Sequence, residues 1–240
     1  MVVMQCFALD VCRGFSYYAV IAAAIVTAGC GVPGRLEPGD LPALEMAVVE
    51  GWVRQATPTL PLRYELRWTY STDKGNSRGR AAVHFAPPDS VRFDFRAPFG
   101  RSGAAVVMGD SIAWAEPEEN VEALVRSSPL FWGLLGVPRP PSPMASVAGQ
   151  ERGGVKVWRY ARVTDTLTYR TDEGELGPRL QVELRRGNEL VGRVMTLFTR
   201  GSPYPFEGTV WFPAGPAVFQ LTVQGIDTLA AIDATIWKHP

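Results

Sequence analysis

Between Leu62 and Tyr70 the chain alternates strictly. Leu62, Tyr64, Leu66, Trp68 and Tyr70 fall on one face, and Arg63, Glu65, Arg67 and Thr69 on the other. A period of two belongs to a strand with one buried and one wet face. After a turn at Asp73-Lys74-Gly75-Asn76, Ala81, Val83 and Phe85 continue the apolar face. Beyond Pro87-Pro88-Asp89, Val91, Phe93 and Phe95 alternate with Arg92, Asp94 and Arg96. Ala97-Pro98-Phe99-Gly100 reads as the next turn, and Gly109-Asp110 joins short strands near 103–109 and 111–116. Further strands are predicted at 155–163, 165–172, 179–186, 189–200, 208–212, 217–224 and 228–237. Asp172-Glu173-Gly174 and Arg186-Gly187-Asn188 are their hairpin-type turns.

Helical spacing interrupts this pattern in three places. Residues 40–56 predict one helix, with Asp40 as cap, Pro42 in the first turn, and Leu44, Val48, Trp52 and Ala56 (with Ala47 beside them) as its apolar stripe. Residues 118–126 predict a second helix. A third, apolar and short, is predicted at 129–136 and stopped by the proline-rich stretch from Val137 to Pro143. The strand 193–199 is apolar on both faces and is therefore covered on both sides. The expected fold is mainly β (α+β): an incomplete antiparallel barrel, or strongly curved sheet, with the N-terminal helix and the helical insert covering its concave face. Without an internal repeat or linker, residues 40–240 read as one domain.

The N-terminal region has a different character. An uncharged run from Phe15 to Ala28 follows Arg13 and ends in Thr27-Ala28-Gly29-Cys30. The run is short of the roughly 20 apolar residues that cross a bilayer and fits a signal-peptide core of about 7–15. The small residues before Cys30 resemble a lipobox, so residues 1–29 are expected to be a lipoprotein signal peptide, with diacylglycerol on Cys30. The alternative is an uncleaved membrane anchor. Residues 30–39, rich in Gly and Pro, read as a flexible tether. Gly31 stands where Asp is the usual inner-membrane retention signal, which favours the periplasmic face of an outer membrane. Of the three cysteines, Cys6, Cys12 and Cys30, none lies in the folded region, so no disulfide framework is expected there.

Charge and chemistry narrow the function. Lys+Arg and Asp+Glu are both 24, so no electrostatic footprint for nucleic acid is expected. The two histidines are His84, placed by parity on the solvent face of its strand, and His239 near the end of the chain. They do not make a zinc site. The sequence has no G-x-S-x-G elbow and no Gly-rich phosphate loop. The acids Glu116, Glu118, Glu119 and Glu122 sit at a predicted helix start, where negative charge is favourable. No catalysis, metal or cofactor is expected. The aromatic supply of seven Trp, seven Tyr and eleven Phe suits an apolar binding surface.

The order of helix, strand meander, helical insert and further strands resembles the LolA/LolB superfamily of lipoprotein carriers. The resemblance is most specific at residues 81–108, where Pro98-Phe99-Gly100 is similar to the protruding turn of LolB, and at the insert SSPLFWGLLGVPRP. It implies a half-barrel holding acyl chains of lipoproteins or lipids, handed over by or to a periplasmic carrier. It also implies a membrane-contacting loop at Pro98, Phe99 and Gly100. Trp68, Tyr70, Phe93, Phe95, Phe131, Trp132, Leu134 and Leu135 either line that cavity or fill an ordinary core, and the last four form either a movable lid or a packed helix. Two functions follow as alternatives: an outer-membrane-anchored lipoprotein that receives or inserts lipoproteins or lipids, or a non-catalytic structural or interaction lipoprotein of the envelope.

Overall fold

Alternation on this scale demands a partner for every strand edge, and the chain supplies it by pairing neighbours. A computed structural model describes residues 39–98, 102–117, 127–141 and 146–239. The predicted signal peptide, Cys30, nearly all of the tether, Phe99 with Gly100, and the predicted helix at 118–126 lie outside the described residues. The described elements are α1 (Met46–Ala56), β1 (Leu62–Thr72), β2 (Gly75–Ala86), β3 (Ser90–Arg96), β4 (Ser102–Met108), β5 (Ser111–Glu116) and α2 (Ser128–Leu134). They continue with β6 (Ser146–Arg152), β7 (Val155–Ala161), β8 (Asp165–Gly174), β9 (Gly177–Arg186), β10 (Glu189–Phe198), β11 (Pro205–Phe212), β12 (Ala217–Thr228) and a 3-10 helix, Ala234–Trp237. All twelve strands form one antiparallel sheet in the order β5-β4-β3-β2-β1-β12-β11-β10-β9-β8-β7-β6. The sheet is open, as expected, with β5 and β6 as its edges.

The sheet bends around α2. Phe131 and Trp132 of this helix meet Phe93 of β3 and Phe85 of β2, at ring separations of 6.4 and 6.1 Å. The same helix packs on β9, β10 and β11. One seven-residue helix can touch both regions only if the strands between them curve around it. Small residues let it sit close. A methyl on Gly208 of β11 would lie 2.4 Å from Leu134 O, and one on Gly133 would lie 2.6 Å from Val182 Cγ2. Polar anchors fix the helix in place: Thr196 Oγ1 donates to Gly133 O at 2.7 Å, and Trp132 Nε1 to Gly109 O at 2.9 Å. The strand pattern of the concave face follows the sequence, with Leu62, Tyr64, Leu66, Trp68, Val83, Phe85, Val91 and Phe93 all buried.

Several local expectations are corrected. The first helix begins at Met46, not at residue 40. Residues before it are extended and pair with β6: Ala43 bridges Ala148, Leu44 N donates to Val147 O, and Gly149 N to Pro42 O. An edge strand offers unpaired backbone groups, and this segment takes them. The buried side of α1 is accordingly Val49 with Trp52 and Val53, while Val48 is exposed. β6 itself is not legible as alternation. Gly149 occupies its middle because a methyl there would lie 2.8 Å from Val157 O. The hairpin between β8 and β9 turns at Glu175-Leu176, since Asp172 is still in register with Arg179. The predicted strand at 228–237 is replaced by the 3-10 helix, whose Thr235 N donates to the Asp233 carboxylate at 2.8 Å. This tail lies on the convex side of β3 and β5, where Trp114 Nε1 donates to Trp237 O at 2.9 Å and Arg92 donates to Ile236 O.

Candidate functional site: the concave face and its openings

The residues expected at a cavity do come together. From Tyr70 a continuous path of rings runs through Phe219, Trp68, Phe95, Phe93 and Phe131 to Trp132 and Phe85, each centroid 6.1–6.4 Å from the next. Exposure is greatest at the Tyr70 end of the path. Tyr70 is 36% exposed, Phe219 and Phe95 are half-buried, and Trp132 is fully buried. Leu134 and Leu135 extend the buried end. Six of the eight expected side chains therefore pack inside, Phe95 is intermediate, and Tyr70 stands at the margin. Sequence reasoning missed Phe219 and Phe85 as members of the path.

Glycines make the open end of this track flat. A methyl on Gly79 would lie 2.6 Å from Trp68 Cζ2, and one on Gly103 would lie 2.5 Å from Phe95 Cε1. The rings of Trp68 and Phe95 thus lie down over β2 and β4, where any side chain would prop them up. Glycine in mid-strand is the signal that would have located this shelf. Pro98, exposed, lies two residues past the end of β3 and opens the turn expected to contact membrane. Phe99 and Gly100 lie outside the described residues.

At the opposite ends of the strands is a separate cleft of about 540 Å³. It runs between the segment after α1 and β7–β10. Leu60, Leu180, Phe198 and Tyr204 supply apolar wall, Lys156 supplies charge, and Gly136 brings it to the end of α2. None of the eight expected cavity residues lines it. The chain after α2 is pinned in place. Tyr169 OH donates to Arg139 O at 2.6 Å, and the Arg139 guanidinium stands 3.5 Å from both Asp89 and Asp110 and over the Trp132 ring. Burial raises the Tyr169 phenol far above its ordinary range, so it remains a neutral donor.

The arrangement resembles solved structures in fold. A LolA superfamily protein from Nitrosomonas europaea aligns over 82% of this chain and 99% of its own, with a TM-score of 0.56 at 9% identity. The chain has the LolA-superfamily fold. A putative outer membrane lipoprotein-sorting protein domain from Vibrio parahaemolyticus aligns over 79% of this chain and 94% of its own, with a TM-score of 0.45 and 9% identity. No family model and no curated relative matches by sequence. Within this fold, α2 occupies the concave face and α1 lies over β7, where Trp52 meets Trp158 at 5.7 Å.

His84 faces outward as its parity predicts, though not fully exposed. It is half-buried on the convex face, and its Nδ1 has no hydrogen-bond partner. Burial lowers its pKa, opposed by Asp94 and reinforced by Arg63 and Arg92. Among the described residues no three His, Cys, Asp or Glu side chains gather as metal ligands, and no helix is long and apolar enough to cross a membrane.

Proposed function

We propose that the chain is a lipoprotein of the cell envelope, lipidated at Cys30 and held at the periplasmic face of the outer membrane. It binds acyl chains on its concave face and receives or inserts lipoproteins or lipids. The observation that carries this reading is the aromatic track, which leads without a break from half-exposed Tyr70, Phe95 and Phe219 to the buried Trp132. An acyl chain laid along it meets rings throughout, and each methylene removed from water contributes about 0.8 kcal/mol. To reach the interior the chain displaces α2, which acts as the lid and carries Phe131, Trp132, Leu134 and Leu135. Pro98 lies just past β3, beyond Phe95 of the track, and the turn expected at Pro98, Phe99 and Gly100 contacts the membrane. No step of this cycle makes or breaks a covalent bond.

Native mass spectrometry of the full chain for co-purified acyl ligand, with titration of a fluorescent fatty acid, tests the reading. Tyr70→Asp with Phe219→Asp is expected to weaken uptake at least about tenfold, since about 1.4 kcal/mol accounts for that factor, while the far-ultraviolet dichroism is unchanged. Absence of both bound ligand and uptake in the wild type would overturn it. A second reading has its own support: the side chains of α2 from Leu130 to Leu135 are packed tightly, none of the bulky ones more than 5% exposed. A core already full of its own side chains suits a structural or interaction lipoprotein, and the same titration separates the two.

A further inference from the structure

The convex face of β1–β3 carries a row of charge that the fold does not explain. The register places Arg67 opposite Arg80, and Arg80 opposite Arg96. All three are exposed, as is Arg78, which stands opposite Thr69 on the same face. Adjacent strands lie about 4.8 Å apart, so three guanidinium stems rise side by side. Like charges directly opposite destabilise a sheet. Among the described residues no ion pair joins them to an acid. The carboxylates one step along β1 and β3, Glu65 and Asp94, are engaged by Arg63 at 3.2 Å and by Arg92 at 2.8 Å. The chain as a whole has as many acids as bases, so this concentration of positive charge reflects placement and not composition.

The position of the row matters as much as its charge. Arg67, Arg80 and Arg96 alternate with Trp68, Gly79 and Phe95, whose opposite-facing positions build the open end of the aromatic track. One margin of the sheet thus presents cations on its back and half-buried rings on its front. The chain leaves this margin through exposed Pro98.

We propose that Arg67, Arg80 and Arg96, flanked by Arg78, dock this margin on an anionic phospholipid surface. A bilayer supplies phosphates and an acyl layer a few ångströms apart, matching cations and rings on the two sides of one sheet margin. An acidic protein surface would match the cations and leave the rings unused. The proposal deepens the acyl-binding reading and rests on it for its purpose: docking brings the open end of the track to the lipid.

The test is partitioning of the full chain between buffer and vesicles. One set is phosphatidylcholine alone, and the other contains roughly a third phosphatidylglycerol. The ratio of the two partition coefficients cancels whatever the N-terminal region contributes to both. The wild type is expected to favour the anionic vesicles at least about tenfold. Each single substitution Arg67→Gln, Arg80→Gln or Arg96→Gln should lower the ratio about fivefold, and the triple variant should abolish the preference. Raising ionic strength from about 0.1 M to about 1 M shortens the screening length from about 10 Å to about 3 Å and should do the same. Thermal unfolding of the triple variant should occur no lower than that of the wild type. A wild-type ratio near unity, or a triple variant that keeps the preference, overturns the proposal. Fatty-acid uptake measured without vesicles reports on the track separately, so loss of one property does not imply loss of the other.

Discussion

The sheet has two walls that follow the same alternation and treat their side chains differently. On the wall of β7–β10, Trp158, Tyr160 and Tyr169 are at most 2% exposed, and the back is crossed by ion pairs. There Asp172 is held by Arg170 at 2.7 Å and by Arg179, and Glu183 by Arg185 at 2.7 Å and Arg193 at 2.8 Å. On the wall of β1–β3 with β12, Tyr70, Phe95 and Phe219 stay half open, and Arg67, Arg80 and Arg96 on the back have no ion pair among the described residues. One wall buries its rings and pairs its buried carboxylates with its own arginines. The other leaves both kinds of group available to something outside the chain. On the proposed reading, stability and recognition fall to different strands of a single sheet, with α2 between them.

Four measurements can break or sharpen this contrast. The largest effect is expected within the track itself. Trp132→Ala, at the sealed end, should cost about 3–5 kcal/mol, whereas Tyr70→Ala at the open end should cost less than about 1 kcal/mol. Comparable urea midpoints for the two variants would erase the gradient of exposure as a guide. Next comes Glu183→Ala, which strands Arg193 and Arg185 and should cost about 3 kcal/mol. Its counterpart Arg80→Ala, on the other wall, should leave chemical denaturation within about 0.5 kcal/mol or shift it upward by relieving repulsion. A methyl at Gly208 tests how tightly α2 is seated: Gly208→Ala should lose about 1–3 kcal/mol and raise amide exchange across Ser128–Leu134.

The smallest effect is the acid titration. Burial alone would push Asp172 and Glu183 up, but the hydrogen bonds from Arg179 and Arg170, and from Arg193 and Arg185, outweigh it and hold both carboxyls below their ordinary range. Folded pKa values below the unfolded ones mean stability that is complete above about pH 4 and declines as pH falls through the folded values. Denaturation followed from neutral pH downward should show that loss. It should flatten in the double variant Asp172→Asn with Glu183→Gln.

Much of this architecture was legible before any coordinates. Strict alternation from Leu62 to Trp68 and from Val91 to Phe95 placed both strands and their buried faces, because a half-buried strand writes its environment into every second residue. The short apolar run of α2, bounded by prolines, was equally readable. What failed was non-local. Residues 40–45 have helical spacing but are drawn out by the free edge of β6, which lies about a hundred positions away and is itself disguised by Gly149. Asp172 looks like a turn residue until Arg170 and Arg179 are seen to hold it in the ladder. For the site, Trp68, Phe93, Phe95, Phe131 and Trp132 were nameable from sequence, whereas Phe219 joined them only through pairing of β1 with β12. The arginine row was invisible for the same reason, since Arg67, Arg80 and Arg96 become neighbours only when the register is known.

The pairing of Ala43 with Ala148 has a mechanical side. The chain's N-terminal flank is fastened lengthwise to a sheet edge by the bonds Leu44–Val147 and Gly149–Pro42. A pull directed along that flank loads both bonds together, in shear, and must break them at once before α1 is disturbed. Tugging from that side therefore reaches the frame of the sheet first and leaves the greasy interior undisturbed.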